Sequence, residues 1–206
     1  MKRGLFLLLL VVFAGKISAQ NDSTFVTAPL FEDDLKWVLE NRKIYTYQTD
    51  LRPVKDKNYE LTLYVDEYHK RDSVHQVHSS RSVTRRSIEE RHFQMERLQA
   101  MFHFLSDSVA MINIHIPDFS GFGVRRSLIP LENDTYLYNS RPFAPSRFET
   151  GKKIPLVLFG SFWKDERFGV YRFCGMKELP PDMKDEMFDL IPHYFIVSIR
   201  IDEVDE

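Results

Sequence analysis

Apolar and polar residues alternate one for one in three stretches of this chain, a period that only an extended strand can sort onto two faces. Tyr59, Leu61, Leu63 and Val65 alternate with Glu60, Thr62, Tyr64 and Asp66. Ala110, Ile112, Ile114 and Ile116 repeat the pattern until Pro117 stops it. Phe195, Val197, Ile199 and Ile201 close the chain, with Ser198, Arg200 and Asp202 between them. Each stretch is expected to bury one face and wet the other, as strands of an antiparallel sheet do. Ile44 to Thr49 reads as a short strand, and Val124 to Ile129 and Thr135 to Asn139 as weaker ones.

Two segments break the period. Phe31, Leu35, Val38 and Leu39 recur at helical spacing, with acids in front and Arg42-Lys43 behind, a polarity that suits the helix dipole. Ser87 with Glu90 fits a capping box, and neither Gly nor Pro interrupts residues 88–105. There Ile88, His92, Met95, Leu98, Phe102 and Leu105 share one stripe, which predicts a long helix packed across a sheet. Pro180-Pro181 precedes a shorter helical segment, 183–190. The expected fold class is therefore α+β: an antiparallel sheet on one long helix (88–105) and a shorter one. A partly closed barrel wrapped on the long helix is the alternative.

Ile154 to Trp163 and Phe168 to Met176 are the most apolar pair of runs, joined by Lys164-Asp165-Glu166-Arg167. If those four residues form the loop, Trp163 pairs with Phe168, Ser161 with Val170 and Phe159 with Arg172. Phe162 and Tyr171 then cover Gly169 and Gly160 on the more apolar face, which is assigned to the core. The other face carries Trp163, Phe168 and Arg172. An aromatic pair beside a guanidinium makes these three the candidate binding residues, for a sugar ring or a partner's side chain.

The amino terminus has the form of a secretory leader. Lys2 and Arg3 precede an apolar run from Leu5 to Ala14, and small residues lead to Ala19. The run is shorter than the roughly 20 residues a membrane span requires. No cysteine follows it, so a lipid anchor is not expected. Cleavage after Ala19 would leave a single globular domain, 20–206, with 20–30 as a loose leader. Of 28 Lys and Arg residues the cut removes Lys2, Arg3 and Lys16, leaving 25 against 30 acids, so the net charge falls from −2 to −5. That balance argues against nucleic acid as a partner. Cys174 is the sole cysteine, so stability must come from the core rather than from an internal disulfide, and it reads as a small buried side chain.

No motif carries a recognisable chemistry. His69, His75, His78 and His92 fall within 24 residues, but a zinc site needs three or four converging ligands. His75 and His78, three apart, point to opposite faces of a strand. Arg81, Arg85, Arg86 and Arg91 would oppose a bound cation. Those arginines with Ser87 could instead meet an anion, except that Glu89 and Glu90 already occupy the first turn. Ser161-Phe162-Trp163-Lys164 has the spacing of penicillin-recognising acyl enzymes without their companion motifs. Gly121-Phe122-Gly123 lacks the third glycine of a dinucleotide loop. No catalytic residue, metal set or cofactor is assigned. A hydrolytic site would be sought around His115, on the less apolar side of its strand, or around the His75/His78 region.

Asp22-Ser23-Thr24, Asp72-Ser73-Val74 and Asp107-Ser108-Val109 each resemble the O-glycosylation acceptor of exported Bacteroidetes proteins. With the leader and the overall size, the chain resembles the small exported proteins of unknown function of that kind. The resemblance implies a periplasmic or secreted location and carries over no catalytic residue. The expected role is non-enzymatic binding or structure in the cell envelope, with an envelope protein or glycan as partner, and no nucleic acid and no stable membrane anchor. The alternative is a small hydrolase of envelope polymers.

Overall fold

Each of the three alternating stretches is a strand, and all three lie in two five-stranded sheets whose strand pairs are antiparallel throughout. A computed structural model describes residues 24–25, 27–29, 33–54, 59–70, 74–84, 97–117 and 120–203. In chain order the elements begin with β1 (Thr24–Phe25), β2 (Thr27–Pro29), α1 (Asp33–Asn41), β3 (Ile44–Asp50) and β4 (Tyr59–His69). β5 (Val74–Thr84), β6 (Arg97–Ser106), β7 (Val109–Ile116), β8 (Ser120–Ser127) and β9 (Tyr138–Pro142) follow. The last are β10 (Ser146–Arg147), β11 (Lys153–Ser161), β12 (Trp163–Asp165), β13 (Val170–Arg172), α2 (Met187–Leu190) and β14 (His193–Glu203).

Sheet I has the order β5-β4-β14-β11-β9, and sheet II the order β2-β3-β6-β7-β8. Their inner faces share one apolar cluster, to which Leu63, Val65 and Val197 come from sheet I and Leu98, Phe102 and Ile112 from sheet II. The Phe102 and Phe159 rings stack across it at 5.1 Å, and the Tyr47 and Ser140 hydroxyls bond across it at 2.8 Å. The arrangement is a β-sandwich. Sheet I is also covered on its outer face. Leu158, Tyr194 and Ile196 pack there with Phe143, Leu179, Phe188 and Ile191, carried by the loop at Phe143 and the segment after β13. The final strand, β14, thus lies mid-sheet with both faces covered.

The expected α+β class is wrong. Residues 97–105 of the predicted long helix lie in β6, paired with β3 and β7; its residues 88–96 lie outside the described part of the chain. Leu98, Ala100 and Phe102 point inward, while Gln99, Met101 and His103 are only partly covered. Leu98 and Phe102 are four residues apart, so one pair of core residues satisfies both periods, and apolar Met101 and Phe104 blur the alternation. Of the shorter helical segment, only Met187–Leu190 is helical.

The expected hairpin also differs. β11 takes β14 on one edge and β9 on the other, so it has none left for residues 168–176. Gly160 sits between Tyr194 and Asn139, and a Cβ there would lie 2.9 Å from Cβ of Tyr194. The actual hairpin is β12–β13, with Trp163 opposite Arg172 and Asp165 opposite Val170. It reverses through Gly169, whose φ of +64° suits a residue without a side chain. Lastly, the outer side of β4 is not wet. Glu60, Thr62, Tyr64 and Asp66 are all buried, with Lys153 paired to Asp66 and lying 4.1 Å from the Tyr64 ring centre.

Candidate functional site

The inner phase of β4 that starts Tyr59, Leu61, Leu63, Val65 continues into Glu67 and His69. That of β14 starts at His193 and proceeds through Phe195 and Val197. Pairing sets Glu67 opposite Phe195 and His69 opposite His193, so the apolar stripe turns polar at one end of the sandwich. Lys70 N–H donates to the Pro192 carbonyl at 2.8 Å just beyond, which fixes that end of the ladder.

His193 is fully buried, Glu67 is 16% exposed and His69 44%. Nε2 of His193 lies 2.8 Å from Oε1 of Glu67, and Nε2 of His69 lies 3.5 Å from the same oxygen. The two imidazoles stack at 4.8 Å. On the other side of His193, Nδ1 meets the Tyr138 hydroxyl at 2.6 Å, and its backbone N–H donates to Ser161 Oγ at 3.2 Å. Tyr138 comes from β9 and accepts the Ile129 N–H at 3.0 Å. Burial lowers the pKa of His193 even though Glu67 pulls it upward, so the ring is held neutral near pH 7. Burial likewise raises Tyr138, which keeps its proton. The set can therefore accept, donate and hold protons, and among the described residues Glu67, His69 and His193 could together hold a metal ion.

The sequence missed most of this set. His69 stands out as one of four clustered histidines, whereas Glu67, Tyr138 and His193 belong to no motif. The available signal was phase: a carboxylate and two histidines fall on the apolar parity of otherwise regular strands. His115, by contrast, is exposed on the outer side of β7, in sheet II. His75 and His78 sit on β5, in register with Glu67 and Val65, and His92 lies outside the described residues. Ser161 is buried beneath His193, and Lys164 pairs with Glu132 at 2.7 Å, so the Ser-x-x-Lys spacing joins nothing. Cys174 is buried, with Sγ 3.8 Å from the Met176 carbonyl, and burial pushes its thiol pKa up.

The three residues expected to bind are placed at β12–β13. Trp163 is half-buried against the outer cluster of sheet I. Phe168 is 66% exposed, and the Arg172 guanidinium lies 5.0 Å over its ring. Asp165 Oδ2 accepts from Arg172 Nε at 2.9 Å. Arg172 thus lies opposite Trp163 in register and over the Phe168 ring, whereas Trp163 and Phe168 are not paired as the expected register required.

No helix among the described residues is long and apolar enough to cross a membrane. No curated protein and no solved structure matches the chain. Residues 15–203 match the domain of unknown function DUF5041. The chain belongs to the DUF5041 family.

Proposed function

We propose that the chain is an exported single-domain protein, residues 20–206 after removal of its leader, that binds a glycan of the cell envelope without chemically altering it. The ledge formed by Phe168 and Arg172 carries this reading: an aromatic ring 66% exposed beside a guanidinium held in place by Asp165. A sugar ring stacks its C–H face on an aromatic, and its hydroxyls bond to a fixed planar donor. Trp163, half-buried against the outer cluster of sheet I, is not itself the contact. A net negative charge disfavours polyanions, so the ligand is a neutral or amino sugar. The hydrolytic alternative gains nothing from His115, an exposed residue on the far side of sheet II.

Titration with soluble muropeptides and neutral oligosaccharides, followed by NMR, tests the ledge. Phe168→Ala and Arg172→Ala should each weaken binding by about tenfold or more, the loss expected when a central contact is removed, with the melting temperature unchanged. No binding to any of these sugars, or binding indifferent to both substitutions, refutes the reading. Amino-terminal sequencing of the exported protein tests the address separately: it should begin at Gln20, and a retained Met1 in the envelope fraction would mean an anchor.

A further inference from the structure

Glu67, His69 and His193 are polar residues in positions that the strand pattern reserves for the core. We propose that they form a mononuclear site for a divalent transition-metal ion, with zinc as its best match, at the open end of the sandwich. Two imidazoles and one carboxylate are the borderline donors that zinc prefers, whereas calcium and magnesium call for oxygen alone. The three ligand atoms lie within 4.8 Å of one another, with Oε1 of Glu67 2.8 Å and 3.5 Å from the two Nε2 atoms. A tetrahedral ion with bonds near 2.0–2.1 Å needs its ligand atoms about 3.3 Å apart. Rotation of His69, which is 44% exposed, closes the remaining gap. Three protein ligands leave a fourth position for water or an incoming ligand on the side where His69 meets solvent.

The hydrogen-bond set behind His193 fits such an ion. Tyr138 accepts from Ile129 N–H at 3.0 Å and can donate to the Ile129 carbonyl at 3.4 Å. Its other lone pair then accepts a hydrogen bond from His193 Nδ1–H, at 2.6 Å. In that tautomer Nε2 presents a bare lone pair to the Glu67 carboxylate, and a cation between them satisfies both. Metal-bound histidines are oriented in this way, by a hydrogen bond from the opposite ring nitrogen.

The test uses the full mature chain, free of affinity tags and stripped with chelator. Zinc is titrated in competition with a chromophoric chelator and counted by elemental analysis. One zinc per chain is expected. His69→Ala removes the most exposed ligand, and its metal-free melting temperature should match that of the unaltered chain. It should weaken zinc by more than the roughly 10–100-fold that loss of a supporting residue costs. Glu67→Gln should act in the same direction. Failure to retain a stoichiometric zinc, or a His69→Ala chain that binds it as tightly as before, overturns the site. Neither result bears on the glycan ledge, whose residues lie elsewhere.

Discussion

Sheets I and II are built from the same number of strands in the same antiparallel manner, yet they differ in what they hide. β7 of sheet II alternates between buried and part-covered residues along nearly its whole length. β14 of sheet I is buried at every position from His193 to Ile199. The difference follows from cover: sheet II packs on one face, sheet I on two. Among the described residues, the buried polar side chains also gather in sheet I: Glu60, Thr62, Asp66, Ser140, Ser161, His193 and Ser198, against Thr49 in sheet II. A polar group in such a place costs stability unless it is paired, as Ser140 is with Tyr47, Asp66 with Lys153 and His193 with Glu67.

The contrast can be broken by substitution. Phe159→Ala should have the largest effect, because its ring touches Phe102, Phe104, Tyr138 and Phe195 between the sheets. A loss of about 3–5 kcal/mol is expected in chemical denaturation; under about 1 kcal/mol would mean that the sheets do not share that core. Next come two glycines. At Gly160 a Cβ would press on Cβ of Tyr194 inside sheet I, whereas at Gly123 it would meet the Asn113 side-chain oxygen, a group that can move aside, on an exposed strand of sheet II. Gly160→Ala should cost about 1–3 kcal/mol, as overpacking does. Gly123→Ala should fall within about 0.5 kcal/mol of neutral, as surface changes do. Equal costs would erase the distinction between a doubly and a singly covered sheet. The hairpin holds a further pair. Trp163→Ala should cost about 2 kcal/mol, less than a fully buried ring, while Phe168→Ala should leave stability unchanged.

Legibility followed the same divide. The one-sided strand β7 was read directly, because one covered face writes a clean alternation. So were the inner faces of β4 and β14. The outer face of β4 was misread, since Glu60, Thr62, Tyr64 and Asp66 look wet unless the Lys153–Asp66 pair is known. β11 was recognised as a strand but given the wrong partner. Its run Val157-Leu158-Phe159-Gly160 says that both faces are covered, and nothing local says which strands flank it. β6 was lost because Leu98 and Phe102 serve either period, and Leu98 would be core in a helix or a strand. The cluster of Glu67, His69 and His193 depends on a pairing more than 120 residues apart in sequence, as the His193–Glu67 separation of 126 shows, and only the register makes it visible.

Native-state hydrogen exchange tests the central claim most directly, that sheet I, threaded by β14, is the doubly covered heart of the fold. Amides of β14 from Tyr194 to Ile201 should exchange only through global unfolding, and those of β8, an edge of sheet II, through smaller local openings. The free energy for β14 should equal the global value from denaturation. If β14 amides exchanged as readily as those of β8, the account would be wrong.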